Sequence, residues 1–231
     1  MSDANRVTAW SYSRLAQYET CPLQFAGKNV YKWPTAGSPA MARGDAIHKG
    51  VAAFITGEAS TLPRDAMAHK DMTDFIREVA ALPKEMKQVE QQWGFSASWK
   101  PTGWFDRKGL PPVWFRSILD AGVMYEDATY EGLDWKTGKK YGSNMEQMET
   151  QAIAAFNKFP HITNFTARLV YLDQNEHEIA EFPKTWQVKL QDKWAKRAAP
   201  MFQDTVFAPR PNDKCRFCDF SKNKGGQCAF G

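Results

Sequence analysis

Cysteine is scarce in this sequence: there are four in 231 residues, and none between Cys21 and Cys215. Such a supply excludes a disulfide-stapled scaffold, and Met1 to Thr8, polar and without an apolar centre, does not read as a secretory signal. Runs of eighteen apolar residues are also missing, so no membrane-spanning helix is expected, and the chain reads as cytoplasmic with no membrane partner. Charge of one sign is nearly balanced, with 30 Lys and Arg against 26 Asp and Glu. The resulting +4 and isoelectric point near 8.8 permit a polyanionic partner without identifying one. No Walker loop is present: Gly132 and Gly138 stand one residue too far apart, and Lys140 follows Lys139 where Ser or Thr belongs. A nucleotide-driven motor is thereby excluded. Internal repeats and low-complexity tracts are absent too. The 43% hydrophobic content suffices for one sizeable core.

What is present is chemically pointed. Ile118-Leu119-Asp120 is followed by Asp134-Trp135-Lys136-Thr137-Gly138. On a strand, side chains alternate faces, so Asp134 and Lys136 point one way while Leu133 and Trp135 point into packing. Two carboxylates and an ammonium at one spot suit Mg²⁺ or Mn²⁺ and phosphodiester hydrolysis. Hard oxygens hold the ion, and the lysine orients water and offsets charge on the phosphoryl group. The competing reading is a solvated polar strand face.

Two further segments flank this set. Gly44-Asp45-Ala46-Ile47-His48 opens a stretch in which Ile47, Val51, Phe54 and Ile55 recur at helical spacing, so His48 borders a buried stripe, as a core residue or as a ligand. Met148, Ala152, Ala155, Phe156 and Phe159 form another apolar stripe, beside which Gln147 and Gln151 lie one turn apart and can line a cleft. Lysine-rich clusters at Lys136, Lys139, Lys140 and at Lys214, Arg216, Lys222, Lys224 could track phosphates, or be solvated faces.

Cys215, Cys218 and Cys228 crowd the last seventeen residues, with Cys21 remote. Shared ligation of a metal centre explains this spacing better than free thiols. A lone Cys-x2-Cys pair with one following and one distant thiolate fits a four-cysteine iron-sulfur site, and zinc stays open.

Coarse periodicity predicts helices from Ser13 to Tyr18, from His48 toward Ile55, over Asp71 to Ala81, around Gln147, and along Trp186 to Met201. Strands are expected over Gln88 to Phe95, Val113 to Leu119, Ala121 to Asp127, Thr129 to Lys136 and Thr166 to Asp173. The class is mixed α/β: a central mixed sheet flanked by helices.

In order along the chain, Ser11-Tyr12-Ser13-Arg14-Leu15 leading to Cys21-Pro22, Gly44 to His48, Ile118 to Asp120, Asp134 to Gly138, Gln147 and the terminal cysteines resemble the RecB-like branch of the PD-(D/E)XK nuclease superfamily. Over nearly the whole chain the sequence is similar to members carrying a four-cysteine 4Fe-4S cluster, such as the AddB nuclease domain, the CRISPR-associated RecB-like exonucleases and small phage-encoded relatives. The resemblance implies a restriction-endonuclease-like core spanning 1–231 as one domain: an N-terminal segment 1–35 with the first cluster cysteine, a nuclease core 36–208, and a cysteine lobe 209–231 tied back to the N-terminus. It implies His48, Asp120 and Asp134 as ligands of Mg²⁺ or Mn²⁺, Lys136 as the catalytic lysine, and Gln147 as the first residue of a QxxxY motif. Cys21, Cys215, Cys218 and Cys228 would hold the cluster. The implied partner is DNA, single-stranded or end-containing duplex, in recombination, repair or replication, with proteins of those processes. Three departures stand out: Asp134 replaces the commoner Glu, Leu119 replaces a proline, and Gln151 stands where the tyrosine belongs. Asp106-Arg107 mimics the acid-arginine step and rivals Asp120, but Asp120 is preferred because it ends the apolar run Val113 to Leu119, which reads as a strand beside the next strand's acid. A catalytically silent DNA-binding module of this fold and a zinc-binding nucleic-acid-associated protein are the alternatives.

Overall fold

The structure is a computed structural model that describes residues 6–231, so residues 1–5, part of the polar N-terminal stretch Met1 to Thr8, lie outside it. Six helices and six strands carry the fold among the described residues: α1 Tyr12–Thr20, α2 Pro22–Asn29, α3 Pro39–Thr56, α4 Lys70–Ala81, β1 Lys87–Phe95, β2 Pro101–Thr102, β3 Phe115–Met124, β4 Thr129–Lys136, α5 Asn144–Lys158, β5 Asn164–Tyr171, β6 Glu176–Pro183 and α6 Gln187–Gln203. The strands form one mixed sheet in the order β2-β1-β3-β4-β5-β6, with β4 and β5 the parallel pair and α5 as their crossover. Both faces are covered. On one, Leu15, Phe25, Met148, Phe156 and Trp194 pack on Leu119, Tyr130 and Phe165. On the other, Ile47, Val51 and Ile76 pack on Leu133 and Trp135. This is the mixed α/β architecture expected, helices on both sides of a mixed sheet.

Several boundaries differ from the sequence reading. The helix of His48 starts five residues before Gly44, because Pro39 pre-sets the first turn and Ser38 caps it, accepting from Met41 N–H at 3.2 Å. Strand β6, with three glutamates in eight residues, is an edge strand whose half-exposed faces hide its alternation. The two strands read on either side of Asp120 are one strand, β3. Leu119 faces the α5 side, Ala121 packs on the α3 side, and Gly122 faces back toward Leu119 and Tyr130, so the inward phase slips by one residue at Asp120.

The turn after β4 is anchored from across the sheet. Asp173 accepts from both terminal nitrogens of Arg43 on α3, at 2.9 and 2.8 Å, and from the Gly138 N–H at 2.7 Å. Arg43 and that N–H hold the Asp173 carboxyl below its ordinary range. Stability from this contact is therefore present above the unfolded carboxyl value near 4 and is lost as pH falls through the lower folded value. Replacing Asp173 by Asn should cost about 1–2 kcal/mol at pH 7, discounted for partial exposure, and progressively less toward pH 3 in thermal melting.

Candidate active site

The site lies where the sheet opens. Strand β3 pairs with β4 through Ala121 and Leu133, and one register step further would set Asp120 opposite Asp134. There the two strands part, while β4 stays bonded to β5 as far as Lys136. Tyr130, Gly132, Asp134 and Lys136 share the face toward α5, and Leu133 and Trp135 take the opposite one.

Asp134, Lys136 and Gln147 close a triangle. Lys136 Nζ stands 2.6 Å from Asp134 Oδ2 and donates to Gln147 Oε1 at 2.9 Å, while Gln147 Nε2 donates to Asp134 Oδ1 at 2.7 Å. Asp134 is 2% exposed. Burial pushes its carboxyl up against the pull of Lys136; the ammonium, itself disfavoured by burial, is held up by Asp134. No donor is aligned on the buried Oδ2, so Lys136 meets it as an ion pair only. Asp120 completes the group: its Oδ2 accepts from the Trp135 N–H at 3.0 Å and lies 3.2 Å from His48 Nδ1 on α3. Burial works against protonated His48, but Asp120, and beyond it Asp134, push its value up to about 9. The structure thus brings His48, Asp120, Asp134, Lys136 and Gln147 together from four elements. Among the described residues no group of three or more His, Cys, Asp or Glu side chains, the four cysteines included, is arranged to hold a metal ion as it stands; in this structure His48 and Lys136 engage the two carboxylates. The chemistry of the donor set nonetheless fits a hard divalent cation: two carboxylates, one with an oxygen that lacks an aligned donor, and an imidazole at one rim.

Asp106 is elsewhere. It sits in the loop before β3, where its carboxylate accepts from the Val113 N–H at 2.7 Å, and it does not compete with Asp120. Gln151 is buried against β3, donating to the Ile118 carbonyl at 3.2 Å. Lys140 is taken up by Glu176 and Glu178, at 2.5 and 3.5 Å, rather than offered to a phosphate.

One residue was missed by pattern reading. Val89 and Gln91 of β1 pair with Ala121 and Leu119, which sets Glu90 across from Asp120, in a left-handed conformation at φ 50°. For a glutamate that conformation costs about 1–3 kcal/mol, and such strain concentrates at functional positions. Although its surface is exposed, partial desolvation and then the Asp120 charge raise the Glu90 carboxyl. Nothing in the Gln88-Val89-Glu90-Gln91 segment signals this, because it arises from cross-strand register.

The four cysteines also meet in one place. Cys21, Cys215, Cys218 and Cys228 are free, half-buried, and line one small cavity. The Arg210 N–H donates to Cys21 Sγ at 3.4 Å and the Asn212 N–H to Cys215 Sγ at 3.3 Å. Asn212 also donates to the Thr20 carbonyl at 3.2 Å, so the C-terminal segment is laced to α1 and α2. Burial raises the Cys218 thiol, and the other three thiols raise it further. Four sulfurs sharing a pocket, with amide donors aimed at them, suit a thiolate-ligated group.

A sequence profile of the PD-(D/E)XK nuclease superfamily matches residues 9–222. Among solved structures, a candidate exonuclease from Eubacterium rectale is 11% identical, with 97% of this chain and 90% of that chain covered and a TM-score of 0.49. The protein SSO0001 is 14% identical, with 95% of this chain and 87% of that chain covered and a TM-score of 0.42. No curated protein sequence matches the chain.

Proposed function

Since the chain belongs to the PD-(D/E)XK nuclease superfamily and is by family a nuclease, we propose that it is a metal-dependent DNA exonuclease, acting on ends or single strands in recombination, repair or replication, and that a 4Fe-4S cluster ties its termini together. The observation that carries the reading is the meeting of Asp120 and Asp134 where β3 and β4 part, with Lys136 Nζ 2.6 Å from the buried carboxylate.

Asp120, Asp134 and His48 would hold Mg²⁺ or Mn²⁺. When bound, the ion supplies Lewis acidity and lowers the cost of deprotonating water. Asp134 orients the site from a buried position where its charge is poorly screened. Gln147 holds Lys136 and Asp134 in register by bonding both, so the ammonium stays aimed at the rim rather than collapsing along the strand. Lys136 orients the attacking water by hydrogen bonding and offsets the negative charge that grows on the phosphoryl oxygens. Trp135 N–H fixes the rotamer of Asp120. Glu90, set across from Asp120 by the β1–β3 register, is a further acid close enough to feel the Asp120 charge.

Cys21, Cys215, Cys218 and Cys228 would hold the cluster, supported by their shared cavity and the amide donors on Sγ. Its role in this reading is structural: residues 1–231 act as one nuclease domain closed by the cysteine lobe. Among the described residues no helix is long and apolar enough to cross a membrane, and the reading places the enzyme in the cytosol with DNA as its partner.

Exonuclease action is tested with linear and covalently circular single strands of one sequence. The linear strand should shorten stepwise from one end, and the circle should survive. Cleavage of the circle at a comparable rate would overturn the exonuclease assignment while leaving the nuclease intact.

A further inference from the structure

Beside the candidate active site lies a cavity of about 580 Å³, and no acidic residue lines it. Two guanidiniums do: Arg14 on α1 and Arg116 on β3. Arg14 Nη1 donates to the Ala9 carbonyl at 3.2 Å, and Arg116 Nε to the Trp104 carbonyl at 2.9 Å. Arg116 is further fixed over the rings of Trp104 and Phe105, at 5.4 and 5.5 Å. Among the described residues neither arginine has a carboxylate at ion-pair distance. The acid nearest in effect to Arg116, Asp106, is engaged on the Val113 N–H. Burial, and for Arg14 the charge of Arg116, disfavour the protonated forms. Two partly desolvated cations that repel each other call for an anion between them.

The remaining lining narrows the ligand. Gln147 faces the cavity and also bonds Lys136 and Asp134, so the cavity is continuous with the proposed chemistry. Tyr12 and Trp104 present ring surface, and Ser11 and Ser13 present hydroxyls. Guanidinium forks match phosphate oxygens bidentately, and rings beside them suit an unpaired base. The volume accommodates a nucleotide. We propose that this cavity is a phosphate pocket, in which Arg14 and Arg116 clamp a phosphate of the DNA strand next to the bond being cut. The proposal rests on the nuclease reading and adds to it the group that sets where the strand lies.

Binding, measured without added metal, keeps the test separate from cleavage. Fluorescence anisotropy of labelled single strands, carrying either a 5′-phosphate or a 5′-hydroxyl, is followed over a salt series for the unaltered protein and for Arg14→Gln/Arg116→Gln. The double variant should bind about tenfold more weakly, and the slope of log affinity against log salt should fall by about 0.7 per lost contact. A preference for the 5′-phosphate that the variant loses assigns the pocket to a terminal phosphate; equal losses on both strands assign it to an internal phosphodiester. Thermal melting checks folding. If the double variant does not fold, Arg116→Gln alone carries the test and should lose one contact's worth of slope. Unchanged affinity and slope in a folded variant would overturn the pocket and leave the nuclease reading standing. Failure of the unaltered protein to bind either strand would overturn both.

Discussion

Lys136→Ala should cleave end-labelled DNA in Mn²⁺ at least about 10²–10³ times more slowly than the unaltered protein, the loss typical of one preorganised electrostatic group. Lys136 is the cation nearest the buried carboxylate, 2.6 Å from Asp134 Oδ2. Its removal takes away the group placed to offset phosphoryl charge. It also leaves Asp134, 2% exposed, without its charge partner, and a buried carboxylate so stranded neutralises by taking up a proton. Both effects lower the rate. Lys136→Met, which keeps the aliphatic stem and its packing, should be as slow, assigning the loss to the charge. Equal product from Lys136→Ala and the unaltered protein would defeat the assignment of Lys136. Binding without cleavage by the unaltered protein would instead favour a silent DNA-binding module.

Cys21→Ser should strip the proposed cluster and destabilise the whole chain. Cys21 lies at the junction of α1 and α2, and its three companions come from the last seventeen residues, so one centre would close nearly the entire polypeptide into a loop. Structural metal sites of this kind contribute on the order of 10 kcal/mol to folding, comparable to the stability of a whole domain. Protein purified without oxygen should be brown and contain about four iron atoms per chain, and Cys21→Ser should be colourless and melt far lower or fail to fold. Colourless native protein that holds zinc would contradict the iron-sulfur assignment. The hydrogen bonds from Asn212 and Arg210 to the α1 end would then carry the junction with zinc's help.

Much of this was legible in the residues because the physics is local. Period-two alternation in Leu133-Asp134-Trp135-Lys136 is enough to put the acid and the lysine on one face and two apolar side chains on the other. Helical spacing in Met148 to Phe156 likewise predicts α5, and the mixed sheet between helix layers follows from the alternation of segments. What escaped depends on partners far away in sequence. The strand break read at Asp120 reflects a true change of phase in the apolar pattern. Only the register with β1 and β4 shows that the chain runs straight through while its faces exchange. Glu90 acquires its left-handed backbone and its place opposite Asp120 from that register alone. The apolar run Val113 to Leu119 favours Asp120 over Asp106, but the Val113 N–H that occupies Asp106 is a loop contact no periodicity encodes. Edge strand β6 is too polar to announce itself, and Lys140 looked free until the glutamates of that strand closed on it.

In the proposed function, Asp120, Asp134 and His48 together capture a divalent ion beside Lys136. This capture is tested most directly by anomalous diffraction at the manganese edge, on crystals soaked in Mn²⁺. A peak is expected between the Asp120 and Asp134 carboxylates, within reach of the His48 imidazole, and it should vanish in Asp134→Asn. Manganese bound only elsewhere, with these carboxylates still held by Lys136 and His48, would contradict the capture.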